Sequence, residues 1–139
     1  MNAQNLYEII EKGIAKLGID PTSTRGEKTG QWDFIRGSAS IAMGLTVTER
    51  FPNGYFYVTS VLMNENDVPA AKKLDFYRSI LETNASLVNM QLSVNEGWVL
   101  LISNRDALGL DDVEVAITIN ELSFYADELD DQLKNAFTA

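Results

Sequence analysis

The chain has 139 residues, 45% of them hydrophobic and 22% charged, which is the composition of one globular domain (residues 1–139) and too little chain for two ordinary ones. It contains no histidine and no cysteine, which excludes disulfides, thiolate metal sites and the usual proton shuttle of neutral pH, so neither a metal nor another cofactor is expected. With 11 basic against 20 acidic residues the net charge is −9, a field that repels nucleic acid and anionic lipid, and no segment approaches the roughly 20 consecutive apolar residues of a membrane span.

The opening from Met1 to Tyr7 lacks the basic and apolar regions of a secretory signal, and a cytoplasmic location is expected. Leu6, Ile9, Ile10, Ile14 and Leu17 recur at helical spacing and predict an amphipathic first helix, stopped by Gly18 and Pro21. Asp20 to Gly30 carries almost no apolar side chain and reads as a long, mobile loop. Trp32, Phe34 and Ile35 open a short strand that Gly37 ends. A longer one, Ala39 to Arg50, points Ile41, Met43, Leu45 and Val47 to one face.

Phe51-Pro52-Asn53-Gly54 suits a tight turn, because Pro presets φ and Gly accepts a positive one; it closes a hairpin with a third strand, Tyr55 to Met63. That strand is apolar on both faces, as a strand covered on both sides would be. An Asp or Asn cap with Pro69 then begins a helix to about Asn84, with Leu74, Tyr77, Ile80, Leu81 and Ala85 as its apolar stripe and Phe76 outside it. Leu87 to Val94 and Trp98 to Asn104 form a second hairpin around the three-residue loop Asn95-Glu96-Gly97. Asp111, with Glu114 three residues on, has capping-box spacing for a long last helix. Its seam is Val115, Ile119, Leu122, Ala126, Leu129, Leu133 and Phe137. Over 112–120 a strand is the competing reading, because Val113, Val115, Ile117 and Ile119 also alternate and are β-branched; helix is preferred.

Reactive constellations are missing from this pattern. Asp111-Asp112 and Asp130-Asp131 are the carboxylate pairs available for acid–base work, but neighbours on a helix diverge by about 100° and such positions suit caps and solvated faces. Glu65-Asn66-Asp67 begins like a calcium loop, yet the sixth position is Ala70 and the twelfth is Phe76. Gly26-Glu-Lys28-Thr29-Gly30 is not in phosphate-loop order, and a Ser-x-x-Lys pair does not occur. The expectation is therefore a protein that binds rather than an enzyme. Nine acids against two bases from Arg105 onward suit either a solvated helix or a basic partner.

The element order α-β-β-β-α-β-β-α predicts an α+β fold with an antiparallel sheet of about five strands. Together with Leu81-Glu-Thr-Asn84-Ala-Ser-Leu-Val-Asn-Met-Gln-Leu92-Ser-Val-Asn-Glu-Gly97-Trp-Val-Leu-Leu, it resembles the type III secretion chaperones of the Tir chaperone type and the sensory-regulator domains of the YbjN type. The resemblance spans about Leu6 to Phe137. It implies a bacterial homodimer that holds an extended segment of a client protein, with a YbjN-type regulator or adaptor binding a folded partner as the alternative. Carried over, Leu74, Tyr77, Leu81, Trp98 and Leu100 would pair the protomers, and Leu6, Ile10, Trp32, Phe34 and Ile35 would face the client; membership of an ordinary core is the alternative for each. The sequence departs from those chaperones in the length of the loop Asp20 to Gly30 and in a final helix without an aromatic-rich end.

Overall fold

A computed structural model describes residues 3–138; Met1, Asn2 and Ala139, at the ends of the expected domain, lie outside the described residues. The elements are α1 (Ala3–Lys16), α2 (Pro21–Thr24), β1 (Gln31–Arg36), β2 (Ala39–Thr46), β3 (Tyr55–Asn64), two single 3₁₀ turns at Glu65–Asp67 and Ala70–Lys72, α3 (Lys73–Asn84), β4 (Gln91–Asn95), β5 (Trp98–Asp106) and α4 (Asp112–Phe137). The strands form one antiparallel sheet in the order β1-β2-β3-β5-β4, so the α3 crossover carries the chain from β3 past β5 to the edge. The α+β class and the element order expected from the sequence are both observed, with one further short helix.

Strand side chains alternate, so one face collects Trp32, Ile41, Met43, Phe56, Val58, Val99 and Leu101, all buried. α4 lies across that face with Val115, Ile119, Leu122, Ala126, Leu129 and Leu133, the seam read from the sequence, and 112–120 is helical throughout. A strand there would have needed a partner edge; the Asp111 cap, whose carboxylate accepts the Glu114 N–H at 2.7 Å, starts a helix instead. The capping box is half formed, because the Glu114 side chain pairs with Arg105 rather than turning back.

α1 packs on α4 through Ile10 and Ile14, and the close crossing is made at Gly13, where a Cβ would overlap Val115 Cγ1 and lie 3.0 Å from the Asp112 carbonyl oxygen. The β1–β2 turn is tied to the same helix: Ser38 donates its N–H to Asp127 Oδ1 at 2.9 Å and its hydroxyl lies 3.0 Å from Asp130 Oδ2, while Lys134 pairs with the buried Asp130. Arg36 donates to Asn120 and Ser123. Asp130, one of the carboxylates weighed for acid–base work, is therefore a fastener, as is its neighbour Asp127.

Four local expectations are corrected. The loop after α1 is anchored rather than free, because Asp20 caps the short helix α2 and Arg25 bridges to Trp32. β2 stops at Thr46, leaving Val47 exposed beyond it. The second hairpin has a two-residue turn, since Asn95 pairs with Trp98 and both Glu96 (φ 50°) and Gly97 (φ 87°) are left-handed. On α3 the stripe is rotated: Phe76 and Ile80 are buried, whereas Leu74 and Leu81 are 80% and 70% exposed. Phe76 meets Phe137 of α4 at 5.3 Å between ring centroids, and a whole phenyl ring removes more apolar surface from water than a leucine does.

Gly13→Ala is expected to destabilise the chain by about 1–3 kcal/mol, although alanine is the better helix former, because the added methyl forces α1 off α4. Urea unfolding followed by circular dichroism checks this; an unchanged or raised midpoint would show that the crossing has slack.

Candidate interaction surface

The helices cover one face of the sheet only. On the other, alternation brings up Ser40, Ala42 and Gly44 of β2, Tyr57, Thr59 and Val61 of β3, Trp98, Leu100 and Ile102 of β5, and Ser93 of β4. Register sets these side by side: Ala42 opposite Thr59, Thr59 opposite Ile102, and Val61 opposite Leu100, itself opposite Ser93. Val61 and Trp98 are exposed, and Tyr57, Leu100 and Ile102 are half-buried. The irregularity between Val61 and Met63 keeps Leu62 and Met63 both in the core while Val61 stays outside. Between β2 and β4 no charged side chain interrupts this face until Asp106 at its end, in a chain that is 22% charged. Burial raises the pKa of the Tyr57 phenol.

α3 extends the same surface around the β4 edge. Asn84 reaches that edge with its side-chain amide, accepting the Leu92 N–H at 2.6 Å and donating to the Leu92 carbonyl at 3.0 Å, as a strand would. Phe76 and Ile80 lie to one side of Asn84 around the helix and Leu74 and Leu81 to the other, which turns the leucines past the edge toward the bare face. Of the residues predicted to pair protomers, Trp98, Leu100, Leu74 and Leu81 all present apolar surface to solvent. Tyr77 is half-buried and donates its hydroxyl to Glu65 at 2.6 Å. Tyr57 and Val61 belong to the same face and were missed, because β3 reads as apolar on both sides and its two faces cannot be ranked from its own sequence; Ile102 of β5, on the same face as Trp98 and Leu100, was also missed.

The residues predicted to face a client divide differently. Leu6, Ile10 and Trp32 are buried in the described protomer, Phe34 is half-buried against the core, and Ile35 is 75% exposed on the bare side of β1. Trp32 is held in place as well as covered. Its indole N–H donates to Glu11 Oε2 at 2.9 Å, its ring meets Tyr7 edge-on at 5.9 Å, and Arg25 closes over it with two 2.8 Å hydrogen bonds to the Glu11 carboxylate. In this conformation of α1 and its strap, Leu6, Ile10 and Trp32 are covered by the chain's own elements. Amphipathic spacing reports that a helix has an apolar face, not whether its own sheet already covers it.

Among the described residues no group of three or more His, Cys, Asp or Glu could hold a metal ion, and no helix is long and apolar enough to cross a membrane. No family model matches this sequence, and no curated protein matches it. Solved structures do: a chain of the ExsC–ExsE complex, with a TM-score of 0.66, 13% identity and coverage of 96% of this chain and 97% of that one. A chain of the HopA1–SchA chaperone–effector complex has a TM-score of 0.63 at 12% identity, covering 94% and 98%. One from the heterodimeric ExoU–SpcU complex of the Pseudomonas aeruginosa type III secretion system has a TM-score of 0.59 at 15% identity, covering 89% and 96%. At such identities it is the fold that is shared, and the chain has a type III secretion chaperone-like fold.

The strap over Trp32 has a pH signature. The hydrogen bond from Arg25, aided by that from Trp32, holds the Glu11 carboxyl below its ordinary pKa against the opposing effect of burial. A lowered folded-state pKa contributes stability above the unfolded value that is lost as pH falls through the folded one. Glu11→Gln is therefore expected to be less stable than the wild type near neutrality, the gap closing below the ordinary glutamate range. Urea midpoints at successive pH values, with Trp32 fluorescence as reporter, check it; a gap independent of pH would show that the carboxylate charge is immaterial.

Proposed function

We propose that this protein is a non-enzymatic, dimeric binding protein of chaperone type that holds an extended segment of a client protein. The observation that carries the reading is the uncharged sheet face from Ala42 to Ser93, flanked by the exposed Leu74 and Leu81, which the chain's own helices leave bare. A contiguous apolar face of this kind marks a protein-protein contact, and a second copy of the same chain is the simplest cover for a self-complementary patch. Leu74, Leu81, Trp98, Leu100, Val61 and Ile102 would form the pairing surface, with Tyr77 supporting it from α3.

The shared fold supports the client half of the reading, since structures of this fold include a chaperone–effector complex. Here Ile35 and Phe34, at the outer strand, remain as apolar contacts for a client, while Leu6, Ile10 and Trp32 would act only by supporting the sheet from behind. The reading involves no bond made or broken: the site is a face and an edge, with no converging nucleophile and base among the described residues.

Light scattering and a binding assay test the two halves. The wild type is expected to be a dimer at micromolar concentration, and Leu81→Asp and Val61→Asp, each folded by circular dichroism, are expected to shift it to monomer by weakening association about tenfold or more. A reduced and alkylated protein that cannot fold should be retained on the immobilised chain while its native form is not. A strict monomer would remove the pairing surface; retention of folded proteins alone would favour an adaptor over a chaperone.

A further inference from the structure

β5 outruns its neighbour at the edge. It extends to Asp106, but the last pair it makes with β4 is Ile102 with Gln91; beyond that Asn89, left-handed at φ 59°, carries the chain off the edge and gives its carbonyl to the Ser103 hydroxyl at 2.7 Å. Three hydrogen bonds establish which main-chain groups are left over. Ala107 donates its N–H to Gly54 on the β3 side, and Leu92, opposite Leu101, turns its own N–H and carbonyl outward to Asn84. Strand alternation then directs residues 101, 103 and 105 toward β3, and Asn104 and Asp106 away from it, to the side where β4 has ended. The Asp106 carbonyl is taken by Arg105 Nε, so the N–H and carbonyl of Asn104 and the N–H of Asp106 form an open edge.

That edge is the floor of a groove. One lobe, about 590 Å³, runs over Asn104 and Arg105 to Ile117 of α4, and a second of about 340 Å³ continues along the helix to Glu121 and Tyr125. The two share Met90, Ser103 and Ile117 in their walls. Ile117 is 58% exposed and Val88 stands unpartnered at the lip. Of the acids along the groove, Glu114 is matched by Arg105, whereas Glu121 has no ion-pair partner among the described residues.

We propose that this groove is the seat of the client's extended segment, which continues the sheet beside Asn104 and Asp106 where β4 stops. An open edge selects a strand over a helix, because only an extended backbone can use its donors and acceptors. The strand period of two then specifies the side chains: an apolar residue over Met90 and Ile117, and a lysine or arginine two positions on, facing Glu121. This deepens the reading of the protein as a binder of extended clients and rests on it.

Fluorescence anisotropy with the labelled peptide Ser-Thr-Val-Thr-Lys-Thr-Val-Thr-Ser provides the test, beside versions with Glu for Lys and with Pro at the central Lys-Thr junction. Tight binding of the first alone is expected, weakened about tenfold or more by Ile117→Asp and by Glu121→Lys, both surface changes that should keep the helical circular dichroism. Hydrogen exchange at the Asn104 and Asp106 amides should slow on saturation. Unchanged binding in both variants, or protection elsewhere in the chain, overturns the groove and leaves the client reading standing. Failure of every peptide while unfolded protein is still retained also overturns the groove alone, and failure of both overturns groove and client reading together.

Discussion

A five-stranded sheet has two faces, and this chain supplies one layer of helix. α4 and α1 together hide Ile41, Met43, Phe56, Val58, Val99 and Leu101 from water, and everything else in the molecule is arranged around that single covered face. The crossing at Gly13 lets the two helices lie close enough to cover four strands, and the Ser38–Asp127 and Arg36–Asn120 hydrogen bonds pin the outer hairpin under α4. Among the described residues no helix remains for the reverse side. Apolar side chains persist there because they are held by strand register, opposite partners that cannot be moved without moving the core.

The parts that were readable from sequence are those whose periodicity is unambiguous. The seam from Val115 to Phe137 keeps helical spacing for more than six turns, and β2 alternates without exception from Ala39 to Met43; either pattern permits one orientation only. α3 was misread because it carries two apolar stripes, Leu74 with Leu81 and Phe76 with Ile80, and a single helix cannot say which one its own fold buries. Its exposed stripe and its buried stripe are distinguished by Phe137, which packs on Phe76 from the far end of the chain. The same limit applies to α1. Leu6 and Ile10 look like a binding face until the strands they cover are in place, and the Glu11–Arg25–Trp32 strap that seals them depends on a contact between segments with no shared pattern.

The way the edges of the sheet are covered was also beyond sequence pattern. At β4 the Asn84 amide satisfies Leu92, and at β1 the Arg25–Gly26 segment pairs back, with Gly26 donating its N–H to Gln31 at 2.8 Å. Each device shields one stretch of an edge that would otherwise pair with any extended chain. The stretch of β5 past Gln91 has no such guard. It lies recessed between α4 and the 88–91 segment, where only a chain able to enter a groove can reach it.

Acidity takes on a different meaning once its members are placed. The C-terminal quarter carries most of the net charge, but Asp111 caps α4, Asp112 pairs with Lys16, Glu114 with Arg105 and Asp130 with Lys134, and Asp127 holds the Ser38 turn with a carboxyl kept below its usual pKa chiefly by the Ser38 N–H. These charges are spent inside the fold and can steer a partner only weakly, since each has a counter-charge or hydrogen-bond donor at contact distance. Glu121, like Asp106, Glu128 and Asp131, has no ion-pair partner among the described residues, and it is the one of these four that lines the groove beside Val88, Ile117 and Tyr125. On the proposed reading, a basic segment entering the groove would meet this carboxylate at short range, where the apolar neighbours Val88 and Ile117 weaken solvent screening, rather than the overall charge of −9.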